Sequence, residues 1–87
     1  MDAKNWSMEI KIDEHELQTR STARLETRDT TLVGVGLARR NPADRNVPEI
    51  GDELATARAL ADLAHQLIDA TVSDIEGVTN KPAHLTQ

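Results

Sequence analysis

The sequence predicts an α+β domain: a three-stranded antiparallel β-meander packed against one long C-terminal α-helix. Three observations lead there. Apolar residues alternate with polar ones over two stretches near the N-terminus, a period of two that belongs to half-buried strands. A third stretch, Thr31 to Arg39, has large residues on one face and glycine or alanine on the other. Beyond residue 50 the apolar period becomes that of a helix and stays so for more than twenty residues.

The first strand rests on Trp6, Met8, Ile10 and Ile12, which alternate with Ser7, Glu9, Lys11 and Asp13. The acidic run at 13–16 makes the turn. The second strand fits Leu17 to Thr27, with Ser21, Ala23 and Leu25 inward and Arg20, Thr22, Arg24, Glu26 and Arg28 outward. Asp29-Thr30 is a short hairpin connection, so the meander covers residues 6–39. Pro42 and Pro48 bracket a loop over 40–51, and Asp52 is the expected N-cap of a helix over 52–78. Ser73 with Glu76 three residues on has the form of a capping box, so the helix either continues or breaks there. Residues 79–87 are a polar tail.

An unbroken helix of that length runs about 40 Å, against about 26 Å for an eight-residue strand, so it overhangs its sheet. Its apolar positions cover an arc of roughly 200°, wider than one sheet-facing stripe requires. Leu54, Ala61, Ile68 and Val72 suit the sheet. Leu60, Leu63 and Leu67 then need a second cover, supplied by the tail, by the 40–50 loop or by a second copy of the chain.

Composition narrows the function classes. With 87 residues, no cysteine and Trp6 as the sole aromatic, the core must be built from Leu, Ile, Val and Ala without disulfide or thiolate–zinc support. So small a domain buries only about 60–65% of the surface its unfolded chain exposes, which makes homodimerisation a natural source of further burial. Early charges and no apolar run at the N-terminus predict a cytoplasmic protein with no membrane contact. The net charge of −5 is unevenly spread. Six arginines (20, 24, 28, 39, 40 and 45) face only three acids across residues 20–45, while residues 46–87 hold Arg58 and Lys81 against seven acids.

Each chemical motif has a plain counterpart. The G-x-G of Gly34 and Gly36 lacks the third glycine of a dinucleotide fingerprint, because Arg39 stands there, and no G-K-[ST] follows. The bare face of Gly34, Gly36 and Ala38 instead invites close approach by another element. That makes Gly34, Gly36, Leu60, Leu63 and Leu67 the expected dimer or partner interface. Arg20, Arg24, Arg28, Arg39, Arg40 and Arg45 are the candidates for contact with RNA phosphates; the alternative is cross-strand neutralisation by Glu9, Asp13 and Glu26. No aromatics sit on these strands to stack bases. His15, His65 and His84 are scattered, and no nucleophile–base spacing occurs. Neither catalysis, a metal nor a small-molecule cofactor is expected.

The stretches "LVGVGLARRNPADRNVPEIGDELATARALADLA" (32–64) and "SDIEGVTNKPAHL" (73–85) resemble a small actinobacterial family of uncharacterised proteins, some of them dormancy-associated and induced under low oxygen. A looser likeness runs through 8–25. The resemblance implies a fold like that of double-stranded-RNA-binding domains, a dimer, and a structural analogy with ribosome hibernation-promoting factors. It therefore implies a non-catalytic stress or dormancy role with the ribosome and its RNA as partner. The competing expectation is a homodimeric protein-interaction module without RNA contact.

Overall fold

The computed structural model describes residues 2–85; the last two residues of the expected tail lie outside them. Three strands and one helix follow in order: β1 (Ser7–Glu14), β2 (Gln18–Glu26), β3 (Thr31–Arg39) and α1 (Pro48–Thr79). The sheet is antiparallel in the order β1-β2-β3, so the expected α+β meander under one helix is the observed fold. Both hairpins close by backbone bonds, His15 N–H to the Gln18 carbonyl at 2.8 Å and Thr27 N–H to the Thr30 carbonyl at 2.9 Å.

The helix starts four residues before Asp52. Pro48 fixes the helical φ at the first position and needs no N–H partner there, so Val47 can stand as N-cap without a side-chain bond. Nor does α1 break at Ser73: it runs for 32 residues to Asn80, which adopts the left-handed conformation (φ 56°) and bonds back to the Glu76 carbonyl at 2.8 Å. At about 48 Å it outreaches the strands, and the molecule extends over 54 × 29 × 18 Å.

The core lies between α1 and the inner faces of β2 and β3. Ser21, Ala23 and Leu25 point inward as the alternation requires, and meet Ala55, Ala59 and Leu63. The helical phase therefore differs from the expected one. Leu63 is core (2% exposed), whereas Leu54 (41%) lies well exposed. The cause is close approach: α1 settles onto the glycines of β3 by two of its alanines, Ala55 and Ala59. A Cβ at Gly34 would strike the Ala59 carbonyl and sit 2.7 Å from the Leu63 nitrogen; one at Gly36 would strike the Ala55 carbonyl and the Ala59 nitrogen. The space left by the glycines is thus filled by the chain's own helix and not by a second subunit. Ser21 and Thr56 share a hydroxyl bond of 2.9 Å across this interface.

Candidate functional site

The position of α1 over the sheet divides the molecule into unlike surfaces. α1 packs mainly on β3, less on β2 and barely on β1. Three polar side chains hold it there. Arg58 Nη1 donates to the Leu37 carbonyl (2.7 Å), the Val35 N–H donates to Asp62 Oδ2 (2.9 Å), and Gln66 Nε2 donates to the Val33 carbonyl (2.6 Å). Four residues of helix advance about 6 Å and two residues of strand about 6.6 Å, so rows with these spacings stay in step over several turns. The helix thereby satisfies backbone groups on the side of β3 away from β2. Neither Arg58 nor Asp62 was among the residues singled out from the sequence. The available signal was that matched repeat, a polar row at every fourth helical position opposite every second strand residue.

On the other side of the sheet the cover is missing. Met8, Ile10 and Ile12 pair with Leu25, Ala23 and Ser21 and share their inward face. With α1 drawn toward β3, they stay 46%, 42% and 41% exposed. Leu60 (38% exposed) is one turn beyond Thr56, which bonds Ser21 of β2, and the half-buried Leu67 is one turn beyond Leu63, so both lie on the flank of α1 opposite Arg58 and Asp62. Together they form an apolar trough floored by β1 and walled by α1. Trp6, immediately before β1, is 56% exposed.

The expected RNA-contact residues fall in four different places. Arg20 and Arg24 project from the open face of the sheet, with Arg39 at the end of β3. In register, Arg20 faces Asp13 and Arg24 faces Glu9, while Arg24 Nη2 lies 3.2 Å from Glu26 Oε1. Each arginine of β2 therefore has an acid beside it. Arg28 sits in the β2–β3 hairpin at the far end of the sheet. Arg40 is a staple: its guanidinium donates to the Glu16 carbonyl (3.3 and 3.0 Å) and to the Asp44 carbonyl (2.9 Å), tying the β1–β2 turn to the loop before α1. Arg45, exposed, lines an open cavity of about 220 Å³ beside Arg39, Thr19 and Pro48.

Near that end of the sheet, Asp52 Oδ1 is shut off from solvent without a hydrogen-bond donor. The Glu14 carboxyl beside it is held above its ordinary value. The leading cause is that a proton on Glu14 is shared with Asp52; repulsion from Asp52, burial and the charge of Glu49 add to it. When Glu14 binds a proton it offers Asp52 a donor. Among the described residues, no three acidic or imidazole side chains gather as a metal site, and no helix is long and apolar enough to cross a membrane.

These features define a small α+β domain whose distinctive surfaces are an uncovered apolar trough and a mixed-charge sheet face. The chain belongs to the Rv2632c-like family, which it matches over residues 4–84. It is 60% identical over 82 residues to an uncharacterised protein of Mycobacterium tuberculosis, covering 94% of this chain and 87% of that protein. A second uncharacterised protein of M. tuberculosis, Rv2632c, is 53% identical over 79 residues, covering 91% and 85%. The crystal structure of Rv2632c superposes with a TM-score of 0.86 at 51% identity, over 94% of this chain and 98% of that one.

Proposed function

We propose that the protein is a non-catalytic binding module that works as a homodimer, with its partner surface on the side of the sheet that α1 leaves open. The observation behind this reading is the trough of Met8, Ile10, Ile12 and Leu60, four large apolar side chains exposed on a chain whose own core is little more than alanines and two leucines. Contiguous exposed apolar surface on so small a domain marks an interaction site. The surrounding chemistry suits a protein surface better than a polyanion, since α1 carries seven acids against Arg58 from its start to the end of the tail, apart from Lys81. Sedimentation velocity across the micromolar range tests the reading: the full chain sediments as a dimer, and Leu60→Asp, at an exposed position, shifts it to monomer. A chain that stays monomeric throughout overturns it.

A stress or dormancy role of the ribosome-hibernation type is the second reading. It is favoured by Arg20, Arg24 and Arg39, which stand exposed on the open face, and it predicts salt-sensitive binding. Co-sedimentation with ribosomes, compared between wild type and Arg20→Ala/Arg24→Ala, decides it; protein that remains at the top of the gradient at low salt ends it.

A further inference from the structure

We propose that two copies of the chain join edge to edge through β1, antiparallel, with Ile10 of one copy facing Ile10 of the other. The inference rests on the homodimer reading above and specifies its geometry.

The two edges of the sheet are not equivalent. The outer edge of β3 is occupied by Arg58, Asp62 and Gln66. Among the described residues the hydrogen bonds of β1 within the sheet run to β2 alone, so its other edge presents a row of backbone donors and acceptors along an eight-residue strand. An open edge of that length is a template for another strand. A two-fold axis normal to the sheet keeps both helices on the same side and brings the two troughs together. It also requires that facing residues share a face, so that inward meets inward.

Only two such registers use seven of the eight strand residues: one centred on Ile10, the other on Lys11. Centred on Ile10, the inward face sets Ile10 against Ile10 and Met8 against Ile12, twice. The outward face sets Glu9 against Lys11, also twice. Centred on Lys11, the same strand keeps Ile10 against Ile12 but sets Lys11 against Lys11, Glu9 against Asp13 and Met8 against Glu14. Opposite charges directly across a strand pair stabilise and like charges destabilise, so charge and apolar matching both select Ile10 as the centre. Pairing there places Met8, Ile10 and Ile12 of each copy against apolar neighbours of the other, on the row that α1 leaves uncovered.

The test uses the full chain. In this register Glu9→Lys sets two lysine pairs face to face and Lys11→Glu sets two glutamate pairs, so each variant alone weakens dimerisation about tenfold. Mixed in equal amounts they form a heterodimer in which both pairs are again opposite in charge, and association returns. Glu9 also faces Arg24 within the chain, but mixing changes no intrachain contact, so recovery on mixing reports the interface and not the fold. The absence of native cysteine permits an independent check. Facing residues of such a pair have Cα atoms about 5.5 Å apart, within the range a disulfide spans, so Ile10→Cys forms a covalent dimer under mild oxidation. Ile12→Cys, whose two copies are about 13 Å apart along the strands, does not. A dimer indifferent to the charge changes, or one cross-linked equally well at position 12, overturns this geometry while leaving the homodimer reading in place. A wild-type chain that is monomeric overturns both.

Discussion

The two outer strands of the sheet have the same partner, β2, and opposite fates. β3 carries glycine at positions 34 and 36, and the helix lies close enough over it for Arg58, Asp62 and Gln66 to reach its outer edge. β1 carries methionine and isoleucines on the same inward face, and no helix covers them. One helix is too narrow to cover three strands, and the glycines decide which two it takes. The small residues of β3 thus shape the surface at β1, two strands away.

The largest effect comes from refusing the helix its seat. Gly36→Ala puts a methyl group onto the Ala55 carbonyl and the Ala59 nitrogen, backbone atoms that yield only if α1 moves as a body. Such overpacking costs about 3 kcal/mol, and the thermal melt falls accordingly, with greater access to Ala23 and Leu25 by hydrogen exchange. Gly77→Ala, where a Cβ meets nothing within 4 Å, is its control and leaves the fold intact or gains up to about 1 kcal/mol of helix propensity.

Next comes the edge ladder. Asp62→Ala removes the acceptor of the Val35 N–H. Hydrogen bonds to charged groups are worth roughly 1.5–3 kcal/mol, so chemical denaturation registers a loss of about 2 kcal/mol and the Val35 amide exchanges faster. Asp62→Asn keeps an acceptor oxygen and loses less. The Ser21–Thr56 bond, joining two hydroxyls across the helix–sheet interface, is smaller: Ser21→Ala costs about 1 kcal/mol.

The smallest effect is a pH dependence at the end of β1. Glu14 holds its proton more tightly folded than unfolded, because Asp52 shares it. The folded state therefore binds more protons than the unfolded one over that range. The contribution is fully present below the ordinary carboxyl value of 4.5 and is lost as pH rises through the raised folded value. Glu14→Gln offers Asp52 a permanent N–H donor, so the difference in stability between variant and wild type grows in the variant's favour over that rise. A difference that stays flat with pH contradicts the shared proton.

Much of this architecture was legible before the structure. The period of two in 6–12 and 18–26 marks strands with one buried face, and the hairpin connection at Asp29-Thr30 joins neighbours, which together give the meander. The bare face of β3 announced a close approach. Its partner could not be named from sequence, since a row of small residues looks the same to a chain's own helix and to a neighbour. The helical phase was hidden for a related reason. With apolar residues over more than half the circumference, hydrophobicity alone does not choose a face, and Leu54, Ala61, Ile68 and Val72 serve as well on paper as Ala55, Ala59 and Leu63. What chose was size against glycine, together with the polar row Arg58, Asp62 and Gln66. The basic middle segment read as one group of arginines, yet Arg40 is bound to carbonyls, Arg24 to Glu26, and Arg28 lies at the other end of the sheet from Arg45.

The most direct test of an edge closed by the helix and an edge left for a second copy is amide hydrogen exchange followed as a function of protein concentration. In the predicted result, alternate amides of β1 around Ile10 gain protection as concentration rises, while the Val35 amide is equally protected at every concentration. Protection in β1 that never changes, or concentration-dependent protection at Val35 instead, would contradict the account.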